Sequence, residues 1–415
     1  MCITNNEALI SMDFKAVDLL IDEYDYPLPN QKIAEFPLSE RDESRLLVYN
    51  NGNISDHLFK ELDQLLPQNS LLILNDTKVI QARLFFQKST GGIIELFLLE
   101  PHNEPIENSL LRKNKGVWNC LIGGASKWKV GQILSKEINI QGAAITLAAK
   151  YVSKEDDHFV VELTWNSSAS FSEIIQQAGS IPLPPYIKRE SVESDKNRYQ
   201  TIFSKYEGSV AAPTAALHFT TAVFDRLKKN NIDIEYITLH VGAGTFKPVK
   251  TSSVSEHHMH EEPFTIKKKL LRSVINANTV VLVGTTTLRT LESIYWLGIK
   301  LMEGKLTEWK LNQWEAYSLS NTTKNYKSVF NEIIKYMDDH KIDELHCSTS
   351  LIIVPGYQFQ IPDGLITNFH QPKSTLLLLV SAFTGNDWKK IYTHALENNY
   401  RFLSYGDGSL LWRKK

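Results

Sequence analysis

The pattern of hydrophobic and polar positions changes near residue 166 and divides the chain into two kinds of structure. Between Leu71 and Trp165, turn residues separate short β-branched and aromatic runs: ARLFFQKSTGGIIELFLLEP, VWNCLIGGASKWKVGQIL, INIQGAAITLAAKYV and FVVELTW. Runs of this length and spacing are typical of an antiparallel barrel or sandwich with few helices. We therefore predict an all-β, barrel-like domain over residues 76–165.

From about Ser170 onward, helical periodicity alternates with short apolar runs, which favours a layered α/β architecture. The predicted helices follow TTAVFDRLKKNN, IKKKLLRSVINAN, TLRTLESIYWL, STLLLLVSAFTG and DWKKIYTHALENN. The predicted strands follow IEYITLHV, TVVLVG, SLIIVPG and RFLSY. The N-terminal segment ends in the strand-like LLVYN and has no core of its own. The main α/β domain is thus predicted to comprise residues 1–75 and 166–415, with the β domain inserted into it.

Composition narrows the class of protein. A chain of 415 residues with 42% hydrophobic and 22% charged residues is typical of a globular protein with two or three domains. Cys2, Cys120 and Cys347 are too far apart in sequence for a disulfide framework or a CxxC site, which suits a reducing cytoplasm. The N-terminus lacks a signal-peptide pattern and no apolar run is long enough to span a membrane, so we expect a cytoplasmic protein without membrane attachment. A net charge of −2 argues against a globally basic nucleic-acid binder but leaves a local basic patch open.

Four polar segments follow predicted strands, and three of them also contain glycine: HVGAGTF, VGTTTLR and SYGDG contain it, and NFHQPKST does not. Ligands of α/β sheets bind beyond the carboxyl ends of strands, where glycine permits close approach. The four segments together therefore predict one pocket. HVGAGTF lacks the third glycine of a dinucleotide fingerprint, and Pro248 follows where a phosphate-binding helix would begin, which argues against a dinucleotide.

Several of these residues have a structural explanation beside a functional one. Arg289 in VGTTTLR could bind a ligand or could be a solvated arginine on a capped helix. EHHMHEE offers three histidines, but its glutamates are misplaced for a zinc hydrolase, so a solvated stretch or a substrate-facing loop competes with a metal site. Neither a GxSxG motif nor a cysteine lies in the four strand-end segments, so histidines and carboxylates are expected to act as acid and base.

Basic and aromatic residues alternate in LLRKNKGVW and ASKWKVG of the predicted β domain. Lysine contacts phosphate and tryptophan stacks on exposed bases, which suits RNA. Lysines on solvated strand edges, where they discourage aggregation, are the alternative explanation.

Motifs along nearly the whole chain resemble the S-adenosylmethionine:tRNA ribosyltransferase-isomerase family of the queuosine pathway. They are ERDESRLLVYN, LNDTKVIQARL, GGIIELFLLE, GSIPLPPYIKR, RYQTIFSKYEGSVAAPTAALHF, LHVGAGTFKPV, EHHMHEE, VGTTTLRTLES, VPGYQFQIPDGLITNFHQPKSTLLLLVSAF and YRFLSYGD. The resemblance implies an α/β main domain with an inserted β-barrel. It also implies transfer and isomerisation of the ribosyl part of S-adenosylmethionine onto 7-aminomethyl-7-deazaguanine in tRNA. The products are epoxyqueuosine-tRNA, adenine and methionine.

The resemblance assigns roles by motif position. His218, His240 and Asp407 are expected to be catalytic, the histidines as acid, base or orienting groups and Asp407 as the counter-charge of the sulfonium. The residues expected to bind substrate are Thr214, Gly242, Gly244, Thr245, Thr285, Thr286, Arg289, Asn368, His370 and Tyr405, with Arg289 on the methionine carboxylate. The residues expected to bind tRNA are Arg41, Arg45, Lys78, Arg83, Lys127, Lys129, Lys188 and Arg189. S-adenosylmethionine is the expected co-substrate, tRNA the partner and a monomer the expected state, with no metal.

The chain departs from the family pattern at a few positions. It has Lys78 and Gln81 where arginine and proline are usual, Ala216 in place of glycine, and Ser209 and Gly408 in place of alanine. Residues 297–350 are predicted to be a family-atypical insertion that caps the pocket or alters tRNA docking. These departures leave two alternatives: a divergent enzyme with another acceptor, and a tRNA-binding paralogue without catalysis.

Overall fold

The computed structural model describes residues 19–155, 157–242 and 251–414. In these residues the helices are α1 (Leu62–Leu65), α2 (Ile106–Leu111), α3 (Phe171–Ala178), α4 (Asp195–Arg198), α5 (Thr221–Lys229), α6 (Lys268–Asn276), α7 (Thr285–Met302), α8 (Glu315–Ser318), α9 (Tyr326–Asp339), α10 (Thr375–Thr384) and α11 (Trp388–Glu397). The predicted helices of the main domain correspond to α5, α6, α7, α10 and α11. No described helix combines the length and the apolar character that a membrane span requires.

The strands are β1 (Arg45–Asn50), β2 (Asn53–Leu58), β3 (Ser70–Asn75), β4 (Thr77–Val79), β5 (Arg83–Gln87), β6 (Ile93–Pro101), β7 (Lys115–Gly123), β8 (Ile133–Ile140), β9 (Ala143–Lys154), β10 (Phe159–Trp165), β11 (Gly179–Ser180), β12 (Tyr206–Ser209), β13 (Asp233–Leu239), β14 (Glu262–Lys267), β15 (Thr279–Val283), β16 (Lys310–Leu311), β17 (Glu344–Thr349), β18 (Gly364–Asn368) and β19 (Gly408–Trp412). Among the described residues they form one ten-stranded sheet, one seven-stranded sheet and the short pair β4–β12. The protein is therefore of mixed α/β class.

The ten-stranded sheet has the order β16-β17-β14-β13-β3-β15-β18-β19-β1-β2. Its centre, β13-β3-β15-β18, is parallel. All six residues of β3 are buried, and their side chains alternate between two hydrophobic clusters. Leu71 and Ile73 share one cluster with α7, whereas Leu72 and Leu74 share the other with α5. A strand covered on both faces explains its unbroken apolar sequence.

The seven-stranded sheet has the order β11-β5-β6-β7-β10-β9-β8 and is antiparallel throughout. It curls so that β8 approaches β5, but the described residues form no ladder between them, and the sheet is a half-barrel. Its hydrophobic cluster includes Phe171, Ile174 and Ile175 of α3. Packing thus continues past residue 165, and the domain limits 76–165 stay a prediction.

Two predicted strands are wrong. Residues 351–354 of SLIIVPG are buried but form no strand, because other partners bind their amides: Leu351 N–H donates to Thr349 Oγ1, and Val354 N–H to the Tyr317 hydroxyl. RFLSY makes only an isolated bridge at Phe402 and then turns, and the last strand of the described residues is β19. A hydrophobic pattern predicts that a segment is buried, but it does not show whether the backbone of that segment pairs with another strand.

Residues 297–350 are integrated into the main sheet. They form the last turns of α7 and then β16, α8, α9 and β17, and β17 pairs with β14. A Cβ at Gly298 would lie 2.4 Å from Val329 Cγ1. The side chain of Val329 in α9 therefore packs directly against the backbone of α7. Whether this segment is atypical of the family, or acts on the pocket or tRNA, stays a prediction.

Candidate active site

One cleft lies where β15 and β18 end, and all four of the polar strand-end segments contribute residues to it. Gly284, Thr285 and Thr286 line it from VGTTTLR, and Asn368 and His370 line it from NFHQPKST. From HVGAGTF the cleft receives Val241, whereas Gly244 and Thr245 lie outside the described residues. The fourth segment, SYGDG, contributes Ser404. We call this cavity the main cleft.

The segment VAAPTAALHF supplies the opposite wall. Residues 211–215, including Thr214, line the main cleft. Ala216, where the family has glycine, is buried in the cluster behind it and does not line it. The departure at position 216 therefore leaves the lining unchanged.

The start of α7 gives the main cleft an electropositive end. Gly284 adopts φ 90° and leads directly into this 18-residue helix, and no side chain caps it. The first N–H groups of a helix have no intrahelical acceptor, and the helix dipole adds partial positive charge there. Backbone donors at Thr285 and Thr286 are therefore suited to an anionic group.

Asn368 lines the main cleft, and among the described residues only the oxygen of its amide group has a hydrogen-bond partner. Its Oδ1 accepts from Thr214 Oγ1 at 2.8 Å. Its Nδ2 is buried without a partner among the described residues. An unpaired buried donor is unfavourable, so a ligand hydroxyl or carboxylate would satisfy it.

His370 lines the main cleft as a neutral imidazole. Its Nε2 lies 2.9 Å from Thr367 Oγ1, and its backbone N–H donates to the Tyr392 hydroxyl at 3.0 Å. Burial lowers the pKa of His370 to about 3, so the ring carries no charge at neutral pH.

The three residues predicted to be catalytic do not line a common cavity. His218 is 5% exposed, lies 2.8 Å from Ser44 Oγ through Nδ1, and lines a smaller cavity beside the main cleft. His240 lies between the two sheets, with Nδ1 2.8 Å from Thr77 Oγ1 and Nε2 3.6 Å from Glu107 of α2. The hydrogen bond to His240 lowers the pKa of Glu107.

Asp407 and Tyr405 hold the chain near the C-terminus. Asp407 is 2% exposed and accepts the backbone N–H groups of Arg45 at 3.0 Å and Arg401 at 2.8 Å. The Tyr405 hydroxyl donates to Asp195 at 2.8 Å. Neither residue lines the main cleft.

Arg289 is buried in an ion pair with Glu262, the last residue of EHHMHEE. Burial lowers the pKa of Arg289 to about 10, so it stays charged. Glu262 also accepts the N–H of Gly242 at 3.4 Å. Arg289 does not line the main cleft, and the described residues contain no group of three metal-binding side chains.

Most residues predicted to bind tRNA have partners within the protein. Arg41 donates to the carbonyls of Gln200 and Leu217, and Arg45 lies over the ring of Tyr400. The ion pairs of the others are Lys78–Glu207 at 2.8 Å, Arg83–Glu95 at 3.0 Å and Arg189–Asp195 at 2.7 Å. Lys127, Lys129 and Lys188 are exposed and make no ion pair with the described residues.

Sequence reasoning assigned no role to several residues that line the main cleft. Tyr186 belongs to GSIPLPPYIKR, and its hydroxyl lies 2.6 Å from that of Ser404. Tyr199 and Phe369 add aromatic surface. The motifs contain these residues, but only their position in the fold shows that they meet.

Nearly the whole chain is similar to members of one protein family. A family model described as "Queuosine biosynthesis protein" matches residues 21–411. An S-adenosylmethionine:tRNA ribosyltransferase-isomerase of Sulfurihydrogenibium sp. is 37% identical over 401 residues, covering 94% of this chain and 99% of the relative. A relative of the same name from Legionella pneumophila strain Lens is 38% identical over 399 residues, covering 94% and 98%. The crystal structure of the S-adenosylmethionine tRNA ribosyltransferase of Thermotoga maritima aligns over 94% of this chain and 99% of that one, with 27% identity and a TM-score of 0.44. With the family model spanning nearly the whole chain, this protein belongs to the queuosine biosynthesis protein family.

Proposed function

We propose that this protein transfers and isomerises the ribosyl part of S-adenosylmethionine onto 7-aminomethyl-7-deazaguanine in tRNA. Adenine and methionine leave, and the tRNA carries epoxyqueuosine. Full-length similarity to relatives named for this activity supports the proposal. The observation that carries it in the structure is the main cleft, where a helix N-terminus, an unpaired amide and aromatic surface converge.

The main cleft offers a separate place for each part of S-adenosylmethionine. The N–H groups at the start of α7 suit the methionine carboxylate better than Arg289, whose charge Glu262 already balances. Asn368 and Thr214 suit the ribose hydroxyls, and the rings of Tyr186, Tyr199 and Phe369 offer apolar surface for adenine.

Catalysis in this proposal is largely positioning and electrostatic stabilisation. The attacking amine belongs to the tRNA base, so the protein needs no nucleophile of its own. His370 stays neutral and orients substrate, since burial opposes its protonation. The catalytic roles of His240 and Asp407, and the substrate contacts of Gly242, Gly244, Thr245 and Tyr405, stay predictions. We expect the protein to be a monomer. We also expect it to act in the cytoplasm, where its tRNA substrate occurs.

The experiment is incubation with S-adenosylmethionine and tRNA that carries the aminomethyl-deazaguanine base. Chromatography should detect free adenine, and mass spectrometry should detect the added ribosyl group on the nucleoside. Adenine without the mass gain would point to a different acceptor. Binding of tRNA without adenine release would identify a non-catalytic paralogue and contradict the proposal.

A further inference from the structure

A groove of about 580 Å³ lies between the half-barrel and the main sheet. Its floor includes Thr238 of β13 and Thr265 and Lys267 of β14, which alternate with residues of the hydrophobic core on the opposite face of the sheet. Its other wall includes Leu110 and Leu111 of α2. Pockets that hold small ligands have volumes of about 300–1,000 Å³, so this groove has room for a nucleobase. We call it the inter-sheet groove.

The inter-sheet groove lies close to the main cleft, because the same two segments of chain line both spaces. Tyr206 lines the groove, and residues 211–215 line the main cleft. After β13, His240 lines the groove and its neighbour Val241 lines the main cleft. Between the two spaces, the Val210 N–H donates to the Val241 carbonyl at 3.0 Å. Five residues of chain span at most about 18 Å, so an RNA strand with one base in the main cleft can reach the groove with a nearby nucleotide.

Two lysines flank the ring of Tyr206 in the inter-sheet groove. Lys267 Nζ donates to the Tyr206 hydroxyl at 3.1 Å, at the edge of the ring, and Lys205 Nζ lies 5.1 Å from the ring centre. All three residues line the groove. An aromatic ring beside two ammonium groups is suited to a nucleotide, which combines a flat base with an anionic phosphate.

The carboxylates near the inter-sheet groove have other partners. The contacts of the three glutamates that line it are Glu107–His240 at 3.6 Å, Glu207–Lys78 at 2.8 Å and Glu344–His346 at 3.7 Å. Asp76 does not line the groove, and its carboxylate accepts from Thr238 Oγ1 at 2.7 Å. Among the described residues, neither Lys205 nor Lys267 forms an ion pair with a carboxylate. Their positive charges are therefore available to a ligand.

We propose that the inter-sheet groove binds an unpaired nucleotide of the tRNA close to the modified base, with its base stacked on Tyr206 and its phosphate held by Lys205 and Lys267. The inference rests on the proposed function. Single-stranded RNA is bound by aromatic rings that stack on bases and by lysines that contact the backbone. Leu111, which is 72% exposed, offers apolar surface to the other face of the base. Tyr206 is then a tRNA-binding residue.

Substitutions at Tyr206 separate stacking from the hydroxyl contact. Tyr206→Leu removes the aromatic ring and should raise the KM for tRNA about tenfold, with kcat and the KM for S-adenosylmethionine unchanged. Tyr206→Phe keeps the ring and loses only the contact with Lys267, so its KM for tRNA should stay within about twofold of the wild-type value. Tyr326→Leu, at a partly buried tyrosine of α9 that lines neither space, is the matched control.

Replacement of Lys205 and Lys267 by alanine tests the phosphate contact. The double variant should make the dependence of log kcat/KM on log salt concentration less steep by about 0.7, the value for one phosphate of a single strand. Lys228→Ala with Lys229→Ala, at exposed positions of α5, should keep the wild-type salt dependence. An unchanged salt dependence in the Lys205 and Lys267 double variant would overturn the phosphate contact.

The stacked base is tested with a modified substrate. A tRNA is ligated to carry one abasic nucleotide, placed in turn at each of the two positions on either side of the target nucleotide. At one of these positions the KM for wild-type protein should rise about tenfold. The same abasic nucleotide should add no further loss in Tyr206→Leu, because the base and the ring form one contact.

Three further results would overturn the inference while leaving the proposed function intact. They are an unchanged tRNA KM in Tyr206→Leu, equal losses in Tyr206→Leu and Tyr206→Phe, and additive losses from Tyr206→Leu and every abasic nucleotide. Absence of adenine release by wild-type protein would instead contradict the proposed function. Circular dichroism melting of each variant excludes misfolding as the cause of a changed KM, and the abasic series with wild-type protein requires no variant.

Discussion

At the scale of single residues, the partners of a side chain decide its role more than its position in a motif. His218, His240 and Asp407 all lie within the family motifs. The sequence alone therefore gives no way to distinguish their roles. The structure separates them, because Asp407 is occupied by two backbone N–H groups, His240 by Thr77 and Glu107, and His218 by Ser44 on one side only. Motif position could predict the neighbourhood, whereas hydrogen bonds between distant segments could not be predicted.

Asp407→Ala should lower the free energy of unfolding by about 2–4 kcal/mol, because it leaves two partly buried N–H groups without an acceptor. Urea unfolding measures this change. Asp407→Asn retains one acceptor oxygen and should lose less, and Asp339→Ala, at an exposed position of α9, should lose almost nothing. Wild-type stability in Asp407→Ala with lost adenine release would favour a direct catalytic role instead.

Asn368→Ala should raise the KM for S-adenosylmethionine about tenfold, because it removes the unpaired amide donor from the main cleft. Thr214→Val removes only the hydroxyl that orients this amide and should raise KM less. Adenine release measured against S-adenosylmethionine concentration gives both values. Asn386→Ala, an exposed control, should match wild type, and an unchanged KM in Asn368→Ala would remove Asn368 from the substrate contacts.

At the scale of elements, α7 connects the main cleft to the buried interior. Its N-terminus lines the cleft, and about two turns farther on Glu292 accepts from the Tyr357 hydroxyl at 2.7 Å and from the backbone N–H groups of Gln360 and Ile361. These bonds fix the loop that leads into β18 and hence to Asn368. Periodicity predicted the helix correctly. It could not predict the missing side-chain cap or the buried carboxylate, since both depend on distant parts of the chain.

The carboxyl group of Glu292 should make stability fall as pH rises. Burial raises its pKa from 4.5 to about 7, so the folded state holds a proton that the unfolded state has released between these values. Its contribution to stability is therefore complete below about pH 4.5 and lost as the pH passes 7, a change of about 3 kcal/mol.

Urea unfolding of wild type and Glu292→Gln across pH 4.5–8 measures that contribution, because the amide does not titrate. The difference between the two proteins should change by about 3 kcal/mol in favour of the variant as pH rises. A difference independent of pH would show that Glu292 has an ordinary pKa in the folded protein.

At the scale of the whole molecule, the pattern predicted two units and which segments belong to each. The structure confirms the mixed α/β class with a curled antiparallel sheet, whereas the assignment of segments to the two units stays a prediction. The order of the ten strands could not be predicted, because β1 pairs with β19 and β3 with both β13 and β15, across very long separations. The curled sheet carries Lys127 and Lys129 on its surface, without ion pairs to the described residues.

Replacement of Lys127 and Lys129 by alanine should raise the KM for tRNA by about tenfold and leave the KM for S-adenosylmethionine unchanged. Two fewer phosphate contacts should also make the dependence of log kcat/KM on log salt concentration less steep by about 1.4–1.8. The control is Lys228→Ala with Lys229→Ala, at exposed positions of α5. Identical salt dependence in both double variants would exclude Lys127 and Lys129 from the tRNA surface.

The parallel pairing of β1 with β19 has a consequence for how the protein is made. Leu46 lies beside Gly408 and Tyr49 beside Leu411, and β19 also separates β1 from β18. A ribosome that synthesises the chain in order therefore releases β1 and β2 long before the strand that joins them to the rest of the sheet. Until β19 emerges, β1 has no strand neighbour except β2, and an unpaired edge of this kind favours aggregation. The sheet around β1 is thus completed only when β19 joins it.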